Sequence, residues 1–256
     1  PMDAFGLGGG FTNAIREVKN GTYDQIEGTG TSTLSTTTDC PTGKGFQKGN
    51  NIGVELLSHT EAQAMQGADG FSWAFWVRST STASGSSNRV ISRDFSDNWG
   101  IQCNQSQSGN QEWRFLESGS TVMGSYPVDK WIHVAFTYPS GALTGQQFKV
   151  YVNGDEVTTR TYSPSTQSRP VGLGCNTEGT INTASSAFVG TYSDIRAYSR
   201  QLSQAEIRSL YNATGITAEI HGDMLVNGTI TADQLAAGAV TADDITTGTL
   251  DATNVT

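Results

Sequence analysis

Reactive chemistry in this chain would have to come from three histidines, three cysteines and a scatter of acids. His59, His133 and His221 have no serine or cysteine motif beside them, and the GxSxG nucleophile turn is absent. Retaining cleavage of a glycosidic bond needs two carboxylates ~5–5.5 Å apart. No glutamate in a strand-like run has a second acid two residues away. Asp155 and Glu156 are adjacent, so on a strand they would point to opposite faces. Cys40, Cys103 and Cys175 are odd in number, far apart and without a CxxC pair. They read as small buried thiols rather than as a zinc site or a disulfide framework. These residues imply a chain that is not an enzyme.

What the chain does offer is clusters of acids and amides between extended runs. "RDFSDNW" carries Asp94, Asp97 and Asn98 and ends on Trp99; "CNTEGTINT" carries Asn176, Glu178 and Asn182; "NQSQSGNQE" holds Asn104 and Asn110. Asx and Gly are also ordinary turn formers, which accounts for each loop equally well. The runs that would position them are short and close together: "NRVISRD", "WGIQCNQ", "EWRFLES", "KWIHVAFTY", "QQFKVYV". In "FSWAFWVRS", Phe71, Trp73, Phe75 and Val77 share one face and Ser72, Ala74, Trp76 and Arg78 the other. Trp76 makes that second face partly apolar too, which suits a sheet packed on both sides. Asn153-Gly154 in "VNGDEV" is the strongest short hairpin signal, since both residues tolerate positive φ. The pattern predicts a mainly β fold, an antiparallel jelly-roll sandwich. One helix is expected late, in "LSQAEIRSLYNATG". Ser203 is its N-cap and Glu206 completes a capping box; Ile207, Leu210 and Tyr211 form its apolar face and Gly215 stops it.

Composition bounds the rest. Net charge is −9, and the segment 216–256 carries −6 of it with no Lys or Arg. An acidic chain without a basic patch argues against nucleic-acid binding. No apolar run approaches the ~20 residues of a membrane helix, so membrane insertion is not expected. No secretion signal is visible, which implies assembly in a reducing cytoplasm or an export signal outside this chain.

The last segment has a period of its own. Ile220, Leu225, Ile230, Leu235, Val240, Ile245, Leu250 and Val255 recur every five residues, with Gly228, Gly238 and Gly248 opening ten-residue units. A five-residue step spirals around a helix and reverses face along a strand, so neither element keeps these residues together. One bulky group per five residues cannot offset backbone ordering of ~1–2 kcal/mol per residue. Such a repeat is ordered only by sharing a core with identical chains; a disordered acidic tail is the alternative. The expected organisation is a flexible linker over 1–20, a sandwich domain over 21–215 and an oligomerising rod over 216–256.

From about Gly45 to Tyr211 the chain resembles the laminin G-like branch of the concanavalin A-like lectin/glucanase superfamily. The resemblance lies in the order of "FSWAFWVRS", "VISRDFSDNWGI", "KWIHVAFTY", "FKVYVNGDEV" and "FVGTYSDIRAYSRQLSQAEIRSLY". It implies a two-sheet jelly roll. The E-x-D-x-E strand motif of the glucanase branch is missing, which agrees with the non-enzymatic reading. The lectin branch implies glycan contacts from loops, here Asp94, Asp97, Asn98, Trp99, Asn176 and Glu178. No cofactor is required, and calcium is the cation such loops would take. Asp194 stands at an acidic position of the laminin G-like pattern and is the candidate calcium ligand, although Ser193 replaces the acid before it; pairing with Arg196 is the alternative.

The repeat "NGTITADQLAAGAVTADDI" is similar to runs in bacteriophage tail-fibre and tail-tip proteins, which implies a homotrimeric fibre. The resemblance further implies other tail proteins and a bacterial surface glycan or receptor as partners. It places the protein in the virion tail, assembled in the host cytoplasm and acting at the host surface. A purely structural fibre module and a polysaccharide-degrading enzyme are the alternatives.

Overall fold

The computed structural model describes residues 2–4, 15–17, 23–24, 28–29, 34–43, 45–48, 53–66, 70–80, 88–93, 99–105, 110–117, 119–139, 145–161, 169–175, 177 and 188–213. Strands are numbered in chain order. The front sheet runs β12 (Ser120–Pro127), β11 (Asn110–Leu116), β10 (Trp99–Gln105), β9 (Asn88–Arg93), β16 (Val171–Leu173), β7 (Gly53–Leu57) and β4 (Gly28–Thr29). The back sheet runs β15 (Asp155–Thr161), β14 (Gln147–Val152), β13 (Ile132–Tyr138), β8 (Phe71–Ser79), β17 (Gly190–Tyr198), β6 (Gly45–Lys48) and β5 (Leu34–Thr37). All these pairings are antiparallel, and the two sheets face each other as a sandwich, as the alternation predicts.

The core between them is aromatic. Phe71, Trp73, Phe75 and Val77 of β8 point inward against Trp99 and Ile101 of β10, Trp113 and Phe115 of β11, and Val134 and Phe136 of β13. Rings meet at offset and edge-on angles, such as Trp99–Phe136 at 4.9 Å and Phe115–Phe148 at 5.0 Å, the arrangement ring quadrupoles favour. A cation from β6 enters this interior. Lys48 of β6 is fully buried, donates from Nζ to the Phe188 carbonyl at 2.7 Å, and lies against Gly174. Burial pulls its ammonium down to about 8.

Trp76 and Ala74 project from the opposite face of β8, and that face is covered. Helix α2 (Gln204–Asn212) lays Ile207 and Leu210 over Ala74, Ala135 and Tyr151. Tyr211 stacks on Trp76 at 5.5 Å. The Ser203 hydroxyl accepts from the Glu206 N–H, and the Glu206 carboxylate accepts from the Ser203 N–H at 2.8 Å, completing the expected capping box. A second helix, α1 (His59–Met65), was not expected. It carries the same signal, a capping box between Ser58 and Glu61, and tucks Ala62 into the core.

The Asn153-Gly154 turn has φ of 52° and 87°, the positive pair a two-residue hairpin needs. Asn153 Oδ1 also accepts from the His133 N–H at 2.9 Å, tying the hairpin to β13. Before the sandwich, β1 (Met2–Ala4) and β2 (Ile15–Glu17) pair antiparallel with each other, and β3 (Tyr23–Asp24) pairs with β2. The apolar repeat positions, Ile220 to Val255, lie outside the described residues. No helix among the described residues is long and apolar enough to cross a membrane.

Candidate functional site

With α2 on the back sheet, the other broad face is the outer side of the front sheet, and register assigns its residues. Ile101, Cys103, Trp113 and Phe115 point into the core, so Gln102 and Asn104 of β10 and Glu112 and Arg114 of β11 point away from it. Arg89 of β9 lies opposite Gln102, and Val122 of β12 opposite Arg114. A grid of planar groups results. Arg89 donates to Gln102 Oε1, and Gln102 Nε2 donates to Asn104 Oδ1 at 3.0 Å. Arg114 donates from Nε to Glu112 Oε1 at 2.5 Å and from its terminal nitrogen to Ser120 Oγ at 3.0 Å.

Arg89 and Gln102 are buried, whereas Glu112 and Arg114 keep about a third of their side chains in solvent, 34% and 31%. Val122 is the most exposed large apolar residue among those described, at 48%. Hydroxyl-rich ligands are recognised by such sets, because amides, carboxylates and guanidinium groups present donors and acceptors in fixed planes.

One step along the sheet, Ser92 lies between Gly172 of β16 and Gly100 of β10, with Glu55 of β7 beyond. The chain after β16 folds back here. Gly174, at φ 63°, turns it, the Cys175 carbonyl accepts from Ser92 Oγ at 2.9 Å, and Thr177 Oγ1 stands 3.5 Å from Ser92 Oγ. Ser92 is two residues before Asp94, and Thr177 lies between Asn176 and Glu178. The flanks of the two predicted loops therefore meet at one point of this face. Asp94, Asp97, Asn98, Asn176 and Glu178 themselves lie outside the described residues.

Trp99 is corrected. It is fully buried, its ring surrounded by Phe71, Trp73 and Phe136, which leaves no ring face for a sugar to stack on. Its inward register on β10 follows from the same alternation that turns Gln102 outward. Asn104, read as a loop residue, is on β10 and belongs to the grid. Asp194 adopts φ 50° at a bulge in β17, and its Oδ1 accepts from Arg196 Nε at 2.7 Å. Pairing with Arg196 is thus the alternative the geometry realises. Cys40, Cys103 and Cys175 are buried and unbridged. His133 lies beneath α2 between Trp76 and Tyr211; burial, with the nearby Arg196 charge, holds its imidazole down to about 3. It is neutral and enclosed, which suits packing and not proton transfer.

Glu112 and Glu55 are both on the front-sheet face, but β10, β9 and β16 separate their strands. At ~4.8 Å per strand that is roughly 19 Å, far beyond the reach of a glycosidase carboxylate pair. The grid was legible only in part. Gln102 and Asn104, and Glu112 and Arg114, are the polar positions of alternating runs, but their adjacency depends on a register that the sequence does not state.

The laminin G-like family model of the concanavalin A-like lectin/glucanases superfamily matches residues 48–208. Among solved structures, the chain is similar to domain 4 of AbnA, a GH43 extracellular arabinanase from Geobacillus stearothermophilus, solved in complex with arabinotriose. Identity is 20% and TM-score 0.50, over 71% of this chain and 82% of that one. It is also similar to a heptameric SAP-like pentraxin from Limulus polyphemus, at 13% identity and TM-score 0.45, over 58% of this chain and 72% of that one. A third likeness is to the receptor-binding domain of botulinum neurotoxin type G, at 15% identity and TM-score 0.46. It covers 74% of this chain and 46% of that domain, so the chain spans less than half the latter's length. No curated relative matches the chain. The family match takes in most of the sandwich, from β6 to α2, and the chain belongs to the concanavalin A-like lectin/glucanase superfamily.

Proposed function

We propose that this protein is a component of a bacteriophage tail fibre or tail tip. Its sandwich binds a glycan or receptor on the host surface, and its decad repeat joins three chains into a rod. The observation that carries the binding role is the polar grid Gln102–Asn104–Glu112–Arg114 on one face of a sandwich whose other face is occupied by α2. The arabinanase domain of the same fold, solved with arabinotriose, makes a sugar a natural first ligand class. The viral setting rests on the wording of the repeat "NGTITADQLAAGAVTADDI". Three weak sites on one rod gain avidity from effective concentration, without any new contact.

The domain binds and does not cleave. The separation of Glu112 from Glu55 and the enclosure of His133 support that reading. Calcium is not required for the grid; where a cation takes part, its ligands come from the loops of Asp94, Asp97, Asn176 and Glu178. The partners are other copies of the chain, neighbouring tail proteins and the host glycan, with no nucleic acid and no membrane insertion. The site of action is the virion tail at the host surface.

The test is a titration of the full chain with bacterial surface polysaccharides and with arabinotriose, in calcium and in chelator, followed by amide NMR. Expected are shifts at Asn104, Glu112 and Arg114, an affinity at least about tenfold lower in Arg114→Ala, as for loss of one charge-assisted contact, and no released sugar. Absence of binding at millimolar ligand in both conditions would overturn the reading.

A further inference from the structure

Where β9 ends, the sandwich holds a cation that no carboxylate among the described residues pairs with. Arg93 is fully buried and lies opposite Trp99 in the ladder, so it shares the inward face with the aromatic core. Its Nε donates to the Arg169 carbonyl at 3.2 Å, and one terminal nitrogen donates to Gln63 Oε1 of α1 at 3.1 Å. The other terminal nitrogen, also buried, has no hydrogen-bond partner among the described residues, and no carboxylate among them pairs with it. Burial alone pulls the guanidinium down, to about 10.

Two further unmet donors stand next to it. Gln66 follows Gln63 by one helical step of three, which sets their side chains on one face about 5–6 Å apart. It is 5% exposed, and its Nε2 has no partner among the described residues. Trp99 is the direct cross-strand neighbour of Arg93, about 4.5–5.5 Å between Cβ atoms. Its indole Nε1 is likewise buried and unpartnered among the described residues. All three groups can only donate at these atoms, and one carries a full positive charge. A water placed among them would accept from two but bring hydrogens of its own that need acceptors. An oxyanion accepts from all three and cancels the charge.

We propose that Arg93, Gln66 and Trp99 form an oxyanion-binding pocket beneath α1, which receives the carboxylate or phosphate group of an acidic glycan. The class of glycan rests on the lectin reading above; the pocket itself does not.

The full chain is titrated with sodium glucuronate, sodium phosphate and neutral glucose while the Trp99 indole N–H is followed by NMR and the melting temperature is recorded. Expected is a shift of the Trp99 signal and a melting temperature that rises with anion concentration, for both anions and not for glucose. Arg93→Met should abolish both effects. Should that variant not fold, Gln66→Leu leaves the charge in place and should weaken anion binding by about tenfold, as loss of one hydrogen bond to a charged group does. A Trp99 signal that neither anion moves at tens of millimolar overturns the pocket. Phosphate acting without glucuronate keeps the pocket and overturns the acidic sugar. A polysaccharide that shifts Arg114 but leaves Trp99 unmoved overturns the pocket and keeps the lectin. Anions that move Trp99 while no polysaccharide binds keep the pocket and overturn the lectin.

Discussion

The carboxylate of Glu117, on the β11–β12 turn of the front sheet, lies 2.6 Å from the guanidinium of Arg160 on β15, the outermost strand of the back sheet. Strands β12 and β15 border the two sheets on the same side and touch there, so this ion pair clasps the sandwich along its open edge. Glu117 is almost wholly buried while Arg160 is 43% exposed. Burial pushes the Glu117 carboxyl up to about 7, and the Arg160 charge opposes that rise only in part.

Burial of Glu117, which outweighs its pairing with Arg160, makes stability fall with rising pH. Between the ordinary 4.5 and about 7, the folded chain keeps a proton that the unfolded chain has released. The contribution is full below 4.5 and is lost as pH climbs through 7, on the order of 3 kcal/mol in total. Glu117→Gln should flatten melting temperature against pH across this window. A variant that tracks the parent curve would sink the assignment.

Lys48 has the opposite sign. Its ammonium is held at about 8 against 10.5 when unfolded, so the folded chain gives up a proton first and stability rises from pH 8 to 10.5. Lys48→Met should remove that rise in denaturant midpoint. At the same place, a Cβ on Gly174 would fall 2.1 Å from Lys48 Cε, and φ there is 63°. Gly174→Ala should cost about 2 kcal/mol or more, adding left-handed strain to a contact that buried neighbours resist.

Among the contacts that seat helix α2 are the fully buried Ile207 and the Ser203 cap. Ile207→Ala should cost roughly 2–5 kcal/mol, and Ser203→Ala about 1 kcal/mol. Hydrogen exchange separates the two: both should speed exchange in α2, but only Ile207→Ala should also disturb the Trp76 indole beneath it. Equal effects at Trp76 would mean that the cap, not the apolar face, seats the helix.

Chain ending at Gly215 should be monomeric by light scattering, and the full chain three times its mass per particle. A trimer from the shortened chain would move the assembly role from the decad repeat to the sandwich.

The sandwich was readable because "FSWAFWVRS" states its own geometry: two apolar faces on one strand require cover on both sides, and α2 supplies the second. Ser203 and Glu206 marked that helix, and the same spacing at Ser58 and Glu61 marked α1, where a helix of two turns is too short to show an apolar stripe. Trp99 follows a turn and so resembles a loop end, whereas its side is fixed by the ladder: it pairs with Arg93 of β9 and stands two residues before the inward Ile101. Side-chain type named the loops; only the ladder could say that Asn104, Glu112 and Arg114 are neighbours. Arg93 gave no signal, since an arginine at a strand end is ordinarily solvated.

The seating of α2 also has a mechanical meaning. It is the last described element, so tension drawn from the C-terminal side reaches it before any described strand. Side-chain packing by Ile207 and Tyr211 and the Arg208–Asp155 pair at 2.8 Å hold it, contacts that can yield one after another. Strand β17 behind it is bonded on both sides, to β8 and to β6, and must shear two ladders at once. Under load the helix would peel first as a sacrificial link, and the polar face across the sandwich would keep its shape while the tether lengthened.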